Sequence, residues 1–105
     1  MNEERVTDEL AARALGWRLA PGRYLKADRS WIPRARFRPL VDLRDAFRLL
    51  DAVTNDYTMF ATRAGGFTAE VRLGDRVGAA SGQPKARAIC LALAQVLGIE
   101  LEAGG

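Results

Sequence analysis

The segment SGQPKARAICLALAQVLG, residues 81–98, determines the fold that this sequence predicts. Pro84 is tolerated in a first helical turn and Gly98 suits a left-handed cap, so the spacing predicts a helix over 83–97. Only three residues between them are polar: Lys85, Arg87 and Gln95. Because a helix that is apolar on nearly all sides must be covered on several sides, the rest of the chain has to supply that cover.

Length and composition limit the kind of protein this is. With 105 residues, 49% of them hydrophobic, the chain is predicted to form one domain over residues 1–105. It has no apolar run near the ~20 residues that span a bilayer, and its polar N-terminus does not resemble a secretory signal. A single cysteine, Cys90, cannot form an internal disulfide. These features predict a cytoplasmic protein with no membrane association.

Two further helices are predicted from apolar residues at helical spacing. In the first, over 3–15, apolar residues recur every four positions at Val6, Leu10 and Ala14, and Gly16 follows as a cap. In the second, over 40–53, the apolar positions step by three and four residues: Leu40, Leu43, Phe47 and Leu50. Each helix therefore presents one apolar stripe that can cover the last helix.

Alternation of apolar and polar residues predicts three strands, over 57–62, 67–73 and 76–80. The pair Gly74-Asp75 is a two-residue hairpin signal, so the segment 57–80 is predicted to be an antiparallel meander with one face toward a layer of helices. The predicted class is α+β, in the order helix, irregular basic loop, helix, three strands, helix. Residues 102–105 are expected to fray.

The segment 18–39 lies in the most basic part of the chain. From Arg18 to Arg48 there are nine basic and three acidic residues, a net charge of +6 in a chain whose total is +3. Prolines at three positions interrupt any period, which predicts an ordered but irregular loop with room for a short hairpin. Its arginines are interleaved with aromatic residues, the composition of a stacking and phosphate-binding surface, and the asymmetry of charge indicates an anionic partner.

The candidate binding residues come from this loop and from the first turn of the last helix: Arg18, Arg23, Lys26, Arg29, Trp31, Arg34, Arg36, Arg38, Lys85 and Arg87. Two alternatives stay open. The charges could form a solvated face without a partner, since most charge runs do. The rings of Trp17, Trp31 and Phe37 could simply hold the loop on the core, because large aromatic side chains usually bury their area.

Little in the composition favours catalysis. The chain has no histidine, which is the commonest general base at neutral pH and the commonest metal ligand. One cysteine cannot form a zinc cluster, and Cys90 lies in the most apolar helix, where it is expected to act as a small buried hydrophobe. We therefore predict no enzyme activity, no catalytic or metal-binding residue and no cofactor.

Several short motifs resemble the phage ABA sandwich domain. Leu15-Gly16-Trp17 closes the first helix, and Trp31-Ile32-Pro33 follows in the loop. The second helix opens with Pro39-Leu40-Val41-Asp42 and carries Ala46-Phe47. The run PKARAICLAL, residues 84–93, is the most similar part. The resemblance implies an α-β-α arrangement and a bacteriophage or prophage context. It implies no catalytic residue, because the general function of that family is unknown.

From residue 40 onward, the order helix, three antiparallel strands, helix also resembles the double-stranded-RNA-binding domain. In that fold, basic residues at the start of the last helix contact phosphates across the major groove. Lys85 and Arg87 occupy the same place in this sequence. The basic cluster of that family is denser, and the first helix and the basic loop are additions to its topology. The resemblance implies a nucleic-acid partner as an alternative.

The sequence supports three hypotheses for function. The leading one is a small, non-enzymatic phage or prophage accessory protein. It would act in the cytoplasm of the host cell by binding a host or phage protein with an anionic surface, for example to inhibit a host defence complex. The second is a nucleic-acid-binding module that uses the basic loop together with Lys85 and Arg87. The third is a structural homodimer, paired through the strand at 76–80 or the outer face of the last helix.

Overall fold

A computed structural model describes residues 2–101, and these residues form three helices and two three-stranded antiparallel sheets. The helices are α1 (Glu3–Leu10, continued by a π-helical turn, Ala11–Leu15), α2 (Leu43–Val53) and α3 (Lys85–Val96). The small sheet contains β1 (Arg18–Ala20), β2 (Arg23–Leu25) and β3 (Trp31–Pro33), and a 3-10 turn follows at Arg34–Arg36. The large sheet contains β4 (Tyr57–Ala61), β5 (Phe67–Leu73) and β6 (Arg76–Ser81). The α+β class is confirmed. The tail at 102–105, predicted to fray, lies outside the described residues.

Helix α3 is the centre of the core, as its apolar sequence predicts. It packs against β5 and β6 on one side and against α2 on another. Four of its alanines are buried, and small side chains let the helix approach the sheet closely. At the closest point the backbone of Gly78 in β6 lies against the Ala92 carbonyl, where a Cβ would overlap that oxygen. Glycine is therefore required at position 78 by the packing of α3 on the sheet.

The large sheet has the predicted order and turn. Leu73 pairs with Arg76, so Gly74-Asp75 is the two-residue hairpin turn that the sequence indicates. The inner face of β5 buries three residues beneath α3: Phe67, Ala69 and Val71. Polar residues alternate with them on the outer face, where Arg72 bonds Asp56 and Thr58. A single layer of helices covers the inner face, which follows from this alternation.

Several element boundaries differ from the prediction. Helix α2 begins at Leu43 rather than at 40, because the Asp42 side chain accepts hydrogen bonds from the backbone N–H groups of Arg44 and Asp45 and so caps the helix. Helix α3 covers Lys85–Val96 rather than 83–97, since a residue that precedes proline is disfavoured in the helical region. The first strand of the large sheet ends one residue earlier than predicted, and the last ends one residue later.

The helix predicted over 3–15 has the right extent. Its last five residues, Ala11–Leu15, adopt the wider π-helical geometry, and the Trp17 N–H bonds back to the Ala11 carbonyl. Gly16 caps this turn in the left-handed conformation, with φ of 71°. At the other end the Asn2 side chain accepts from the Arg5 N–H. Asn2 and Gly16 thus cap the two ends of this helix.

The segment 18–39 is not the irregular loop that was predicted. It forms the small sheet, a meander in which Ala20 pairs with Arg23 across the Pro21-Gly22 turn, and Leu25 pairs with Trp31. Each strand has only three residues, which is too short for an alternation to be recognised in the sequence. Pro33 is tolerated because β3 lies at an edge of the sheet, where one side of the backbone needs no partner.

Candidate binding surface on the small sheet

Three aromatic rings hold the small sheet on the core. The Trp17 ring lies 4.9 Å from the Phe37 ring and 5.9 Å from the Tyr24 ring, measured between centroids. Tyr24 and Phe37 complete the cluster with an edge-to-face contact at 5.8 Å. All three are buried. The anchoring interpretation is thus confirmed for Trp17 and Phe37, whereas Trp31 is 45% exposed and stays available to a partner.

A polar network ties the same sheet to α1. The Tyr24 hydroxyl donates to the Asp8 carboxylate at 2.6 Å, and the Arg34 guanidinium donates to the same oxygen at 2.6 Å. Arg34 also pairs with Glu4 at 3.0 Å. Burial and the neighbouring Asp8 carboxylate raise the pKa of Tyr24, while the hydrogen bond to Asp8 raises the pKa of Arg34. The phenol therefore stays neutral and Arg34 stays charged at physiological pH.

The pairing register puts the predicted binding residues on one face. Arg18, Leu25 and Trp31 are opposite one another across the three strands, and Arg23 lies in the next row that points the same way. Tyr24 is directed to the other face, toward the core. The Arg23 guanidinium lies 4.1 Å from the centroid of the Trp31 ring, a cation–π contact at the surface. The outward face of the small sheet thus combines arginine with an exposed tryptophan.

A basic cleft of about 590 Å³ adjoins this face. Its charged lining residues are Arg18, Lys26 and Arg29, and its wall contains no carboxylate. The turn from Lys26 to Ser30 shapes the cleft: the Lys26 N–H bonds the Ser30 carbonyl at 2.8 Å, and Arg29 adopts a positive φ of 69°. Asp28 accepts from the backbone and hydroxyl of Ser30, bonds that lower the pKa of its carboxyl. The nearest acid is therefore bound within the turn.

A second cleft, of about 340 Å³, lies on the opposite side of Lys26–Ala27 and contains a residue that the sequence did not single out. Arg48 of α2 places its guanidinium 5.5 Å from the Trp17 centroid, and the Lys26 ammonium lies 5.8 Å from the same ring. Arg48 reads in the sequence as part of the charged outer side of α2. Only the docking of the small sheet against that helix brings it beside Lys26.

The structure brings together half of the ten predicted binding residues and places the others at different points. Five lie on the small sheet and its turn: Arg18, Arg23, Lys26, Arg29 and Trp31. Arg36 and Arg38 follow in and after the 3-10 turn, where Arg38 lines a groove shared with Glu3 and Glu4. The charge of Arg34 is balanced by Asp8 and Glu4, and that of Arg87 by Glu3 at 3.3 Å. Lys85 lies 5.7 Å from the Phe67 ring.

Half of the twelve basic residues elsewhere form an ion pair or donate to a carbonyl at the end of α3. Arg13 and Arg76 donate to the Leu97 and Val96 carbonyls at the end of α3, where positive charge complements the helix dipole. Arg72 is paired with Asp56. By contrast, within residues 2–101 no carboxylate forms an ion pair with any of the four cations of the small sheet: Arg18, Arg23, Lys26 and Arg29. Four cations that form no ion pair with a carboxylate of residues 2–101 thus lie together on the small sheet and the turn that follows β2.

The single cysteine of the chain, Cys90, is buried in α3. Burial raises the pKa of the Cys90 thiol to about 12, so the reactive thiolate is scarce at neutral pH. The thiol donates to the Pro39 carbonyl at 3.2 Å and serves as a packing residue. Across residues 2–101 no three His, Cys, Asp or Glu side chains come together as a metal site requires. In the same range, no helix has both the length and the hydrophobicity needed to cross a bilayer.

The fold is similar to that of a phage protein from Bacillus cereus, known from its crystal structure. The two structures align with a TM-score of 0.72 and 20% sequence identity, over 97% of this chain and 93% of the other. No protein-family model and no curated protein sequence matches the chain. The resemblances to the ABA sandwich domain and to the double-stranded-RNA-binding domain therefore remain predictions.

Proposed function

We propose that this protein is a phage or prophage accessory protein that acts by binding, without catalysis. Its partner is a host or phage protein with an anionic surface. The observation that carries the proposal is the cluster of four cations on the small sheet and its turn, none of which forms an ion pair with a carboxylate of residues 2–101. Elsewhere the fold pairs about half of its arginines with acids or with carbonyls at the end of α3. Charges that the fold does not use internally are available to attract a partner of opposite sign.

The chemistry of the outward face favours a protein partner over a nucleic acid. Arg23 covers one face of the Trp31 ring, so a base cannot stack on that side. The same face exposes apolar carbon at Pro33, which pairs with Arg23. Arginine and tryptophan are the residues most enriched among those that contribute most to protein–protein affinity. A cationic rim around an exposed tryptophan therefore fits an acidic protein surface with an apolar centre.

The phage context rests on a different observation. The fold neighbour from Bacillus cereus is a phage protein, and motifs spread along this chain resemble a phage domain. Small phage proteins with a basic binding face and no catalytic group commonly act on host proteins, and inhibition of a host defence complex is the specific form of the proposal. Such a protein would work in the host cytoplasm, a reducing compartment that suits a chain whose single cysteine is a free, buried thiol.

Affinity capture with two matched double variants tests the proposal. The cleft variant carries Arg18→Glu and Arg29→Glu, and the control variant carries Arg44→Glu and Lys85→Glu. All four positions are exposed, and both variants change the net charge equally. We expect wild type and the control variant to capture the same protein from a nuclease-treated host lysate, and the cleft variant to lose at least about tenfold in affinity for it.

The melting temperatures decide whether the loss is local. Neither substituted side chain of the cleft variant makes an ion pair in the described residues, so its melting temperature should stay within a few degrees of the wild-type value. Undiminished capture by the cleft variant would contradict the proposal. Equal loss in the two variants would show that net charge alone, rather than the small sheet, determines binding.

A nucleic-acid partner is the second candidate, and the basic cleft is the observation that favours it. Three cations with no acid in the wall suit a phosphate, and that cleft lies next to Trp31. The pairing of Arg87 with Glu3 argues against the additional contact at the start of α3. If this candidate is correct, duplex DNA or RNA of random sequence binds at low salt and loses affinity steeply as salt rises. No mobility shift at low salt would exclude it.

A further inference from the structure

The described part of the chain leaves Arg48 of α2 without an ion pair. Asp45 and Asp51 lie three residues before and after it, the spacing at which helical ion pairs form. Neither carboxylate pairs with Arg48 in residues 2–101, and Asp45 instead accepts from the Arg38 N–H at 3.0 Å. The Arg48 guanidinium lies 5.5 Å from the Trp17 centroid, in the wall of the second cleft. Its charge is therefore directed to that cleft and is not used along the helix.

The two clefts beside the small sheet share one wall. Both are lined by Lys26 and Ala27, which lie between them as a ridge at the start of the turn after β2. Arg18 and Arg29 line the first cleft, and Arg48 lines the second. None of these four cations forms an ion pair within residues 2–101. Charges from β1, the turn and α2 thus meet at two neighbouring clefts.

The backbone of Arg29 is a second observation that points to a ligand. Its φ of 69° lies in the left-handed region, which glycine occupies at no steric cost and arginine does not. The side chain is exposed and forms no ion pair in the described range, so no internal salt bridge requires arginine at this position. A strained residue without such a partner is expected where its side chain contacts a ligand.

We propose that the two clefts form one anion-binding surface that includes Arg48, and that this surface binds an extended acidic segment of the partner protein. Carboxylates of that segment would lie on both sides of the Lys26–Ala27 ridge. In an extended peptide, alternate side chains point the same way about 7 Å apart, so acids can enter neighbouring clefts. The inference rests on the proposed function and adds to it a residue of α2 and a conformation for the bound part of the partner.

The lining of the clefts favours a peptide over a nucleic-acid strand. Apolar side chains lie beside the cations, Leu25 in the first cleft and Leu15 and Trp17 in the second, and they suit apolar residues between the acids of a peptide. Asp28 also lines the second cleft, and its bonds to Ser30 hold the pKa of its carboxyl below the usual range, so it is charged at neutral pH. A strand with a phosphate at every nucleotide would bring one against Asp28, whereas the acids of a peptide can be spaced to avoid it.

Fluorescence anisotropy at low salt tests the inference with a fluorescein-labelled peptide in which glutamate alternates with alanine. We expect saturable binding to wild type and a loss of affinity of roughly three- to tenfold in Arg48→Glu. Arg44→Glu is the matched control, because it changes the net charge equally, lies one turn earlier on α2 and lines neither cleft. Its affinity should stay within about twofold of wild type. Arg48→Lys keeps the charge and should keep most of the affinity.

Arg29→Gly tests the first cleft separately from stability. Glycine relieves the left-handed backbone, so the melting temperature should not fall, while the affinity for the peptide should drop roughly threefold or more. A variant that loses stability but keeps its affinity would contradict the role given to Arg29.

The remaining outcomes separate this inference from the proposed function. No binding of the peptide to wild type, or equal losses in Arg48→Glu and Arg44→Glu, overturns the inference. If the double variant Arg18→Glu, Arg29→Glu loses affinity and Arg48→Glu does not, the extension to α2 is wrong and the proposed function stands. Tighter binding of duplex DNA than of the peptide, with the same dependence on Arg48, overturns the acidic segment as the occupant.

Discussion

The two sheets of this protein are stabilised in different ways. In the large sheet, β5 has seven residues and buries alternate side chains along its length beneath α3. In the small sheet each strand has three residues, and only Tyr24 of β2 is fully buried. The large sheet is therefore stabilised by continuous apolar packing. The small sheet depends on one aromatic cluster and one network of polar contacts to α1.

Because of this difference, the residues that stabilise the small sheet are not the residues that it exposes to a partner. Because Tyr24 and its neighbours anchor the small sheet from behind, the outward residues need not contribute to folding. Arg18, Arg23 and Trp31 can thus be selected for what they bind. The large sheet has no comparable freedom on its inner face, where β5 and β6 pack against α3. The comparison predicts a ranking of substitution effects from the inner face of the large sheet to the outer face of the small one.

The largest effect is expected where α3 lies closest to the large sheet. In Gly78→Val the new Cβ overlaps the Ala92 carbonyl oxygen, which belongs to backbone and cannot rotate away. The variant should lose about 3 kcal/mol or more of unfolding free energy, measured by urea denaturation. The control is Ala79→Val on the same strand, whose side chain points to solvent. It should stay within about 0.5 kcal/mol of wild type, and equal losses would show that the contact does not limit packing.

An intermediate effect is expected at the anchor of the small sheet. Tyr24→Phe keeps the aromatic cluster but removes the hydroxyl that donates to Asp8 at 2.6 Å. A hydrogen bond to a charged acceptor is worth about 1.5–3 kcal/mol, and the urea midpoint should fall accordingly. Tyr57→Phe is the control, since no hydrogen bond of its hydroxyl occurs within residues 2–101, and it should be nearly neutral. A neutral Tyr24→Phe would mean that the rings alone hold the sheet.

The raised pKa of Tyr24 adds a pH dependence with a definite sign. The folded protein favours the neutral phenol, so its stabilisation is complete below the ordinary pKa of 10.0, where the phenol is neutral in both states. Above that pH the unfolded chain ionises first, and the folded state loses stability until the raised pKa is reached. Unfolding free energies measured between pH 9 and 11 should therefore decline more steeply for wild type than for Tyr24→Phe. Parallel curves would contradict the assignment.

The predictability of the two regions follows the same division. The large sheet could be read from the sequence because Phe67–Leu73 alternates over seven residues and Gly74-Asp75 specifies the turn. Helix α3 could be predicted because its apolar run is long. In both cases the residues that specify the element lie within it, so only the ends of the elements differ from the prediction.

The small sheet could not be predicted from the sequence, because the residues that hold it in place contact partners far away in the sequence. Arg34 and Asp8 are 26 residues apart, and nothing in the sequence around either marks them as partners. The composition indicated a basic surface and left open whether Trp31 is buried or exposed, and Arg34 and Arg87 looked equivalent to the other arginines. Only their pairing with acids of α1 removes them from the set of unbalanced charges. Charge counts in a sequence cannot show which charges are already paired.

The smallest effect on stability is expected on the outward face of the small sheet, and it can be observed by fluorescence. Arg23→Gln removes the guanidinium that covers one face of Trp31 at 4.1 Å, in a position where a surface cation–π contact contributes only about 0.5–1 kcal/mol. The melting temperature should change little, while acrylamide quenching of tryptophan emission should increase because the ring is uncovered. Lys26→Gln is the control: its ammonium faces Trp17, which is buried by Tyr24 and Phe37, so quenching should not change. Equal quenching in the two variants would contradict the assignment of Trp31 to an exposed face that Arg23 partly covers.

If Arg23→Gln instead unfolds the protein, Arg23 contributes to folding, and the distinction between residues that anchor the small sheet and residues that it exposes is wrong at this position.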